Sequence, residues 1–231
     1  DYKGNKEKAN ALRKEAEELG KRVLELYVDG KGVYRCKLPD GSYNVVHHCY
    51  DFGTTLMNIG DMMPEKQKKE MVAFFKNELQ TPTWMRALST KDKDVTFSIR
   101  PDHQWTGAYC SWAALALSGL YVAGEVYLAT DWIEGLAKTA MQGPYGQAHF
   151  TESFAPPESN GSALKTPSDQ PYINDWACVS GCNYLEPIVD SIFGINAGLF
   201  GEITAKPQFG KLDPKAELIN INYQGTRYAA S

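Results

Sequence analysis

The stretch Arg100-Pro-Asp-His-Gln-Trp-Thr-Gly-Ala-Tyr109 leads directly into a segment without charge that extends to Gly124. A helix that is apolar on all faces is typical of one buried on every side. We therefore predict a buried helix over Gly107–Gly124. The acid, imidazole, guanidinium and aromatic side chains that precede it are the groups that a carbohydrate-binding or hydrolytic cleft requires at its mouth.

Outside this segment the chain shows the same alternation of helix types. Apolar residues spaced three and four apart predict amphipathic helices, each followed by a long loop and a more apolar helix. The predicted amphipathic helices are Lys6–Val28, Glu65–Leu79 and Glu125–Met141, the predicted inner helices are Asp51–Met62, Gly107–Gly124 and Trp176–Phe193, and the loops are 29–50, 80–106 and 142–174. Loops of this length within a compact domain are usually functional, and we expect all three to open on one rim.

Two regions favour strands. Residues 32–46 predict a hairpin with Asp40-Gly41 as its turn, and Glu217–Tyr223 followed by Gln224-Gly225 predicts another strand and turn. The expected fold class is mainly α: a partial α/α toroid of about six helices as three hairpins, with a β-hairpin insertion and a short strand-rich tail. The expected domains are 1–200, the toroid segment, and 201–231, the tail packed on it.

Composition excludes several classes of function. The net charge of −4 argues against a nucleic-acid partner or an anionic membrane surface, and no apolar run is long enough for a membrane span. Five cysteines without regular spacing argue against a disulfide framework. Cys178 and Cys182, four apart, are typical of buried small residues rather than zinc ligands. With no phosphate loop or other cofactor motif, we expect neither metal nor cofactor.

Four motifs of the chain belong together: Trp84-Met-Arg-Ala-Leu-Ser89, Arg100-Pro-Asp-His103 with Gly107-Ala-Tyr109, Gly143-Pro-Tyr-Gly-Gln-Ala-His149 and Ile192-Phe-Gly-Ile195. As a set they resemble the C-terminal half of the six-hairpin glycosidases. The resemblance implies an (α/α)6 toroid with its cleft at one rim, and an enzyme that hydrolyses glycosidic bonds. That fold has twelve helices, so the six found here would correspond to half of it.

Hydrolysis of a glycosidic bond requires two carboxyl groups, one that protonates the leaving oxygen and one that activates water or attacks the sugar. We predict Asp102 as the first candidate because Arg100, His103 and Trp105 adjoin it. Glu152 in the third loop is its candidate partner. The structural alternatives are a contact of Asp102 with the loop backbone and a solvated charge at Glu152.

The same loops carry candidate substrate-binding side chains, because aromatic faces pack on sugar rings and polar groups bind hydroxyls. They are Arg100, His103, Trp105, Tyr109, Gln147, His149 and Trp176. His47 and His48 could also bind sugar hydroxyls. Asp51 and Asp175 precede predicted helices, where an N-cap is the favoured interpretation.

Two other functions fit the same residues. A helical carbohydrate-binding or assembly module would use the aromatic side chains without the acid pair, and a polysaccharide lyase would use a Tyr or His base. The expected partners are a carbohydrate substrate and either the missing half of the toroid or another copy of the chain. A secreted or periplasmic location is the candidate for such an enzyme.

Overall fold

The computed structural model describes residues 4–80, 86, 88–92, 110–140, 153–154, 164–165 and 184–231. Its helices are α1 (Lys6–Leu24), α2 (Cys49–Ile59), α3 (Glu65–Phe74), α4 (Cys110–Val122) and α5 (Val126–Ala140), with a 3-10 turn at Gly60–Met62 and π-helical turns at Phe75–Leu79 and Ile188–Ile192. Its strands are β1 (Tyr27–Val28), β2 (Val33–Lys37), β3 (Tyr43–Val45), β4 (Ser153–Phe154), β5 (Leu164–Lys165), β6 (Asn196–Ala197), β7 (Ile203–Thr204), β8 (Leu218–Tyr223) and β9 (Thr226–Ala230). Among these residues no helix is both long and apolar enough to span a membrane.

The strands form small antiparallel sheets along the chain. The described sheets are β1-β2-β3, β4-β5, β6-β7 and β8-β9. The predicted hairpin at 32–46 is confirmed, since Lys37 pairs with Tyr43 and the Gly41 N–H donates to Leu38 O across the turn. The predicted turn at Gln224-Gly225 is also confirmed, because it joins β8 to β9.

The centre of the fold is the close, parallel packing of α2 and α4. A Cβ atom on Gly53 would lie 2.7 Å from the backbone nitrogen of Ala116, and one on Gly60 would lie 2.5 Å from Val122. Contacts therefore advance along both helices in the same direction, so the two helices begin at the same end. Two helix backbones approach this closely only where a side chain is absent, which explains the glycine at position 53.

The helix α4 is buried as its composition predicts. Its described side chains from Ala116 to Tyr121 are all buried. The helix ends in a Schellman motif, in which Gly124 has a φ of 80° and Glu125 donates its N–H to Leu120 O at 2.9 Å. This cap turns the chain directly into α5, whose Trp132 is 3% exposed.

The prediction of a partial α/α toroid built from three helical hairpins is wrong. Within the described residues nine strands in four sheets interrupt the helices, where one hairpin insertion and a strand-rich tail were expected. The predicted helix Lys6–Val28 ends at Leu24, because the chain turns into β1 and the sheet. Its apolar stripe does not pack as that of an outer helix, since Leu12 is 55% and Leu19 61% exposed.

Candidate functional site

The polar residues nearest the start of α2 form one cluster with the segment that follows α3. We call it the histidine–glutamate cluster, and it consists of His47, His48, Glu78, Ser89, Lys91 and Asp92. His47 and His48 come from the first predicted loop, and Ser89 to Asp92 come from the second. Two of the three long loops therefore meet at this end of the α2–α4 pair.

Backbone contacts join the two loops. Ser89 donates its N–H to His47 O at 2.9 Å, and His47 donates its own N–H to the Asp92 carboxylate at 2.8 Å. His48 and Leu88 form an isolated antiparallel bridge. Asp92 is only 5% exposed, so its carboxylate is bound by donors of the protein rather than by water, and this fixes the two segments relative to each other.

The Glu78 carboxylate lies at the centre of the side chains. Its Oε2 accepts a hydrogen bond from Ser89 Oγ at 2.6 Å and lies 3.1 Å from His47 Nδ1, while its Oε1 lies 3.5 Å from Lys91 Nζ. Burial by itself raises the pKa of Glu78, but the hydrogen bonds from Ser89 and His47 and the charge of Lys91 lower it overall. Glu78 is therefore a stable carboxylate at neutral pH, suited to orienting donors rather than to donating a proton.

A π-helical turn presents Glu78 to the cluster. The α-helical pattern of α3 gives way at Phe75, and the five residues Phe75–Leu79 follow a wider turn. This turn ends the helix, since the next residue, Gln80, has an extended backbone, and its wider winding directs Glu78 differently from a regular α-helical turn. Phe75 and Leu79, the first and last residues of this turn, are completely buried, so the core anchors the backbone that carries Glu78.

His48 is neutral near pH 7. Burial lowers its pKa to about 4, and the opposing effect of the Asp92 charge is smaller. A neutral imidazole has one donor nitrogen and one acceptor nitrogen, so it can either donate a hydrogen bond to a hydroxyl group or accept one from it.

The depressed pKa of His48 gives a pH prediction. Between pH 6.5 and about 4 the imidazole of His48 is protonated in the unfolded chain but neutral in the native chain. Because the unfolded chain binds the extra proton, the free energy of unfolding decreases as the pH falls through that window. The variant His48→Gln should therefore take up about one proton fewer on unfolding near pH 5 than wild type. Urea unfolding from pH 4 to 8 measures this. Equal pH slopes for the two proteins would show that His48 titrates normally.

The predicted site residues lie outside the described part of the chain. This applies to Asp102 and Glu152 and to every predicted substrate-binding residue: Arg100, His103, Trp105, Tyr109, Gln147, His149 and Trp176. Asp175, Cys178 and Cys182 also lie outside it. Asp51 is the third residue of α2, which begins at Cys49, so its assignment as the N-cap is wrong.

Sequence reasoning missed Glu78, Ser89, Lys91 and Asp92. Glu78 ends an amphipathic helical pattern, where a charge is ordinarily solvated, and its partner His47 lies 31 residues away. The one available signal is the polar run Ser89-Thr-Lys-Asp92 in a loop of functional length. Among the described residues, no group of three or more His, Cys, Asp or Glu has the arrangement of a metal site.

Neither a protein-family model nor a curated protein matches the chain.

Proposed function

We propose that the chain is a glycoside hydrolase, or part of one, that cleaves glycosidic bonds in an oligo- or polysaccharide. Asp102 and Glu152 are its two carboxyl groups. Its substrate-binding residues are Arg100, His103, Trp105, Tyr109, Gln147, His149 and Trp176. The chemistry requires two carboxyl groups across a cleft and an aromatic surface for the sugar, and no particular fold.

One observation supports this proposal above the others. The described residues on both sides of 93–109 lie at the same end of the fold: Asp92 is bound to His47 directly before α2, and Cys110 begins the parallel helix α4. The described residues that precede and follow the stretch 93–109, which includes Arg100–Tyr109, therefore lie at the end of the α2–α4 pair where the histidine–glutamate cluster is found.

The chemistry of the cluster is compatible with this role. Near pH 7 Glu78 is negatively charged and the imidazole of His48 is uncharged. A fixed negative charge near a second carboxyl group raises the pKa of that group, which is how a general acid remains protonated at neutral pH. In the proposed mechanism one carboxyl group protonates the leaving oxygen, and the other activates water or attacks the anomeric carbon.

The test is a panel of neutral and acidic polysaccharides incubated with the whole chain. We expect new reducing ends without ultraviolet absorbance from an unsaturated sugar. Reducing ends accompanied by that absorbance would identify a lyase and overturn the proposal. Retarded migration in glycan-containing gels without any cleavage would identify a binding module, and the absence of both binding and cleavage would equally contradict hydrolysis.

A further inference from the structure

The helix α1 has a regular apolar stripe, but several side chains of that stripe are exposed to solvent. Leu12 and Leu19 are 55% and 61% exposed, and Ala16 between them is also exposed. The helix is held at its other end, where Gly20 is buried and a Cβ atom there would lie 2.7 Å from Met62 Sδ. About three turns of amphipathic helix thus extend from the fold with their apolar side uncovered.

This stripe continues into a groove between α1 and α2. The groove has a volume of about 330 Å³ and is lined mainly by apolar groups, among them Leu19, Val23 and Ile59, with Thr55 at its side. A second copy related by a two-fold axis can cover both the stripe and the groove, because each copy then packs its own stripe at the groove of the other.

The spacing of the stripe is that of a coiled-coil seam. Within α1, Ala9, Ala16 and Val23 are seven apart, and so are Leu12 and Leu19. The two sets correspond to the a and d positions of a heptad, which form the contact line between two helices. A helix that packs on a globular core usually shows a wider stripe than this.

We propose that α1 pairs antiparallel with α1 of a second copy of this chain, about a two-fold axis between residues 17 and 18. Ala16 then packs on Leu19 of the partner subunit, and Leu12 packs on Val23 of the partner subunit, at the groove. The arrangement covers both exposed leucines of each copy.

Charge selects this register. Glu15 and Arg22 occupy equivalent flanking positions one heptad apart, and these positions face each other in antiparallel pairs. In the proposed register Glu15 faces Arg22 of the partner subunit, and the symmetry produces this pair twice. A shift of one heptad toward the N-terminus would place Glu15 opposite the partner subunit's Glu15 and Arg13 opposite the partner subunit's Arg13, and both pairs have like charges. A parallel pair would set Lys8 against Arg13.

The test is sedimentation velocity of the whole chain over a range of concentrations. Wild type should reach twice the 25.7 kDa mass of one chain. Glu15→Arg and Arg22→Glu should each weaken the dimer about tenfold, because two attractive pairs become repulsive, and the double variant E15R/R22E should restore it. Leu12→Glu should abolish it, whereas Leu199→Glu, at an exposed leucine between β6 and β7, should not.

Two results would overturn the proposal. Wild type that stays monomeric at every concentration would show that another segment, or a different protein, covers α1. A double variant as weak as the single variants would show that the dimer uses another surface or register. Circular dichroism keeps the comparison valid, since the substituted side chains are exposed and helicity should be unchanged.

Discussion

Replacing Asp102 with Asn is expected to lower glycan hydrolysis by about 10²–10⁴-fold, which is the usual contribution of a positioned acid or base. The amide has nearly the same size and retains hydrogen bonding, but it neither donates a carboxyl proton nor carries the charge that activates water. Initial rates of reducing-sugar release, on the best substrate of the panel, measure the loss. Glu152→Gln should show a loss of similar order.

The matched control is Asp61→Asn, because Asp61 is an exposed carboxylate in the 3-10 turn after α2, at the end of that helix opposite His48. Its turnover should equal that of wild type. Undiminished turnover in Asp102→Asn would remove Asp102 from the catalytic pair, whatever the behaviour of Glu152→Gln.

Replacing Phe75 with Ala is expected to destabilise the fold by about 3–5 kcal/mol. The Phe75 ring is completely buried, stacks on Phe52 at 5.4 Å and meets Trp132 edge to face at 5.4 Å. It joins α2, the π-helical turn and α5, so its removal leaves a cavity where these three elements meet.

Urea unfolding monitored by tryptophan fluorescence and circular dichroism measures this change. Phe200→Ala is the control, since Phe200 is 64% exposed and its loss should change the free energy of unfolding by less than about 0.5 kcal/mol. A loss below about 1 kcal/mol for Phe75→Ala would contradict the placement of this ring at the centre of the core.

Local patterns predicted the elements that depend on neighbouring residues. The uncharged run before Gly124 predicted the buried helix α4, and Asp40-Gly41 predicted the turn between β2 and β3. Their signals are helix periodicity and turn chemistry, which act over a few residues. Both elements can therefore be inferred without knowing what packs against them.

Features that depend on distant contacts were not predictable in this way. The strand β1 has only two residues and follows an unbroken helical pattern, so its pairing with β2 leaves no sequence signal. The position of Glu78 depends on a π-helical turn and on partners in two loops. The toroid expectation failed for a related reason, because an amphipathic stripe does not specify what covers it, and no part of the described chain covers Leu12 and Leu19 of α1.

Histidine-selective NMR during titration with a cleavage-resistant fragment of the best substrate tests the proposed site most directly. The chain has four histidines: His47, His48, His103 and His149. Replacing each of them in turn with Gln assigns its ring signal. If Asp102 acts beside the histidine–glutamate cluster, the ring signals of His48, His103 and His149 should shift together with one midpoint. Saturable binding that leaves the His48 and His103 signals unmoved would contradict a glycan site at this end of α2 and α4.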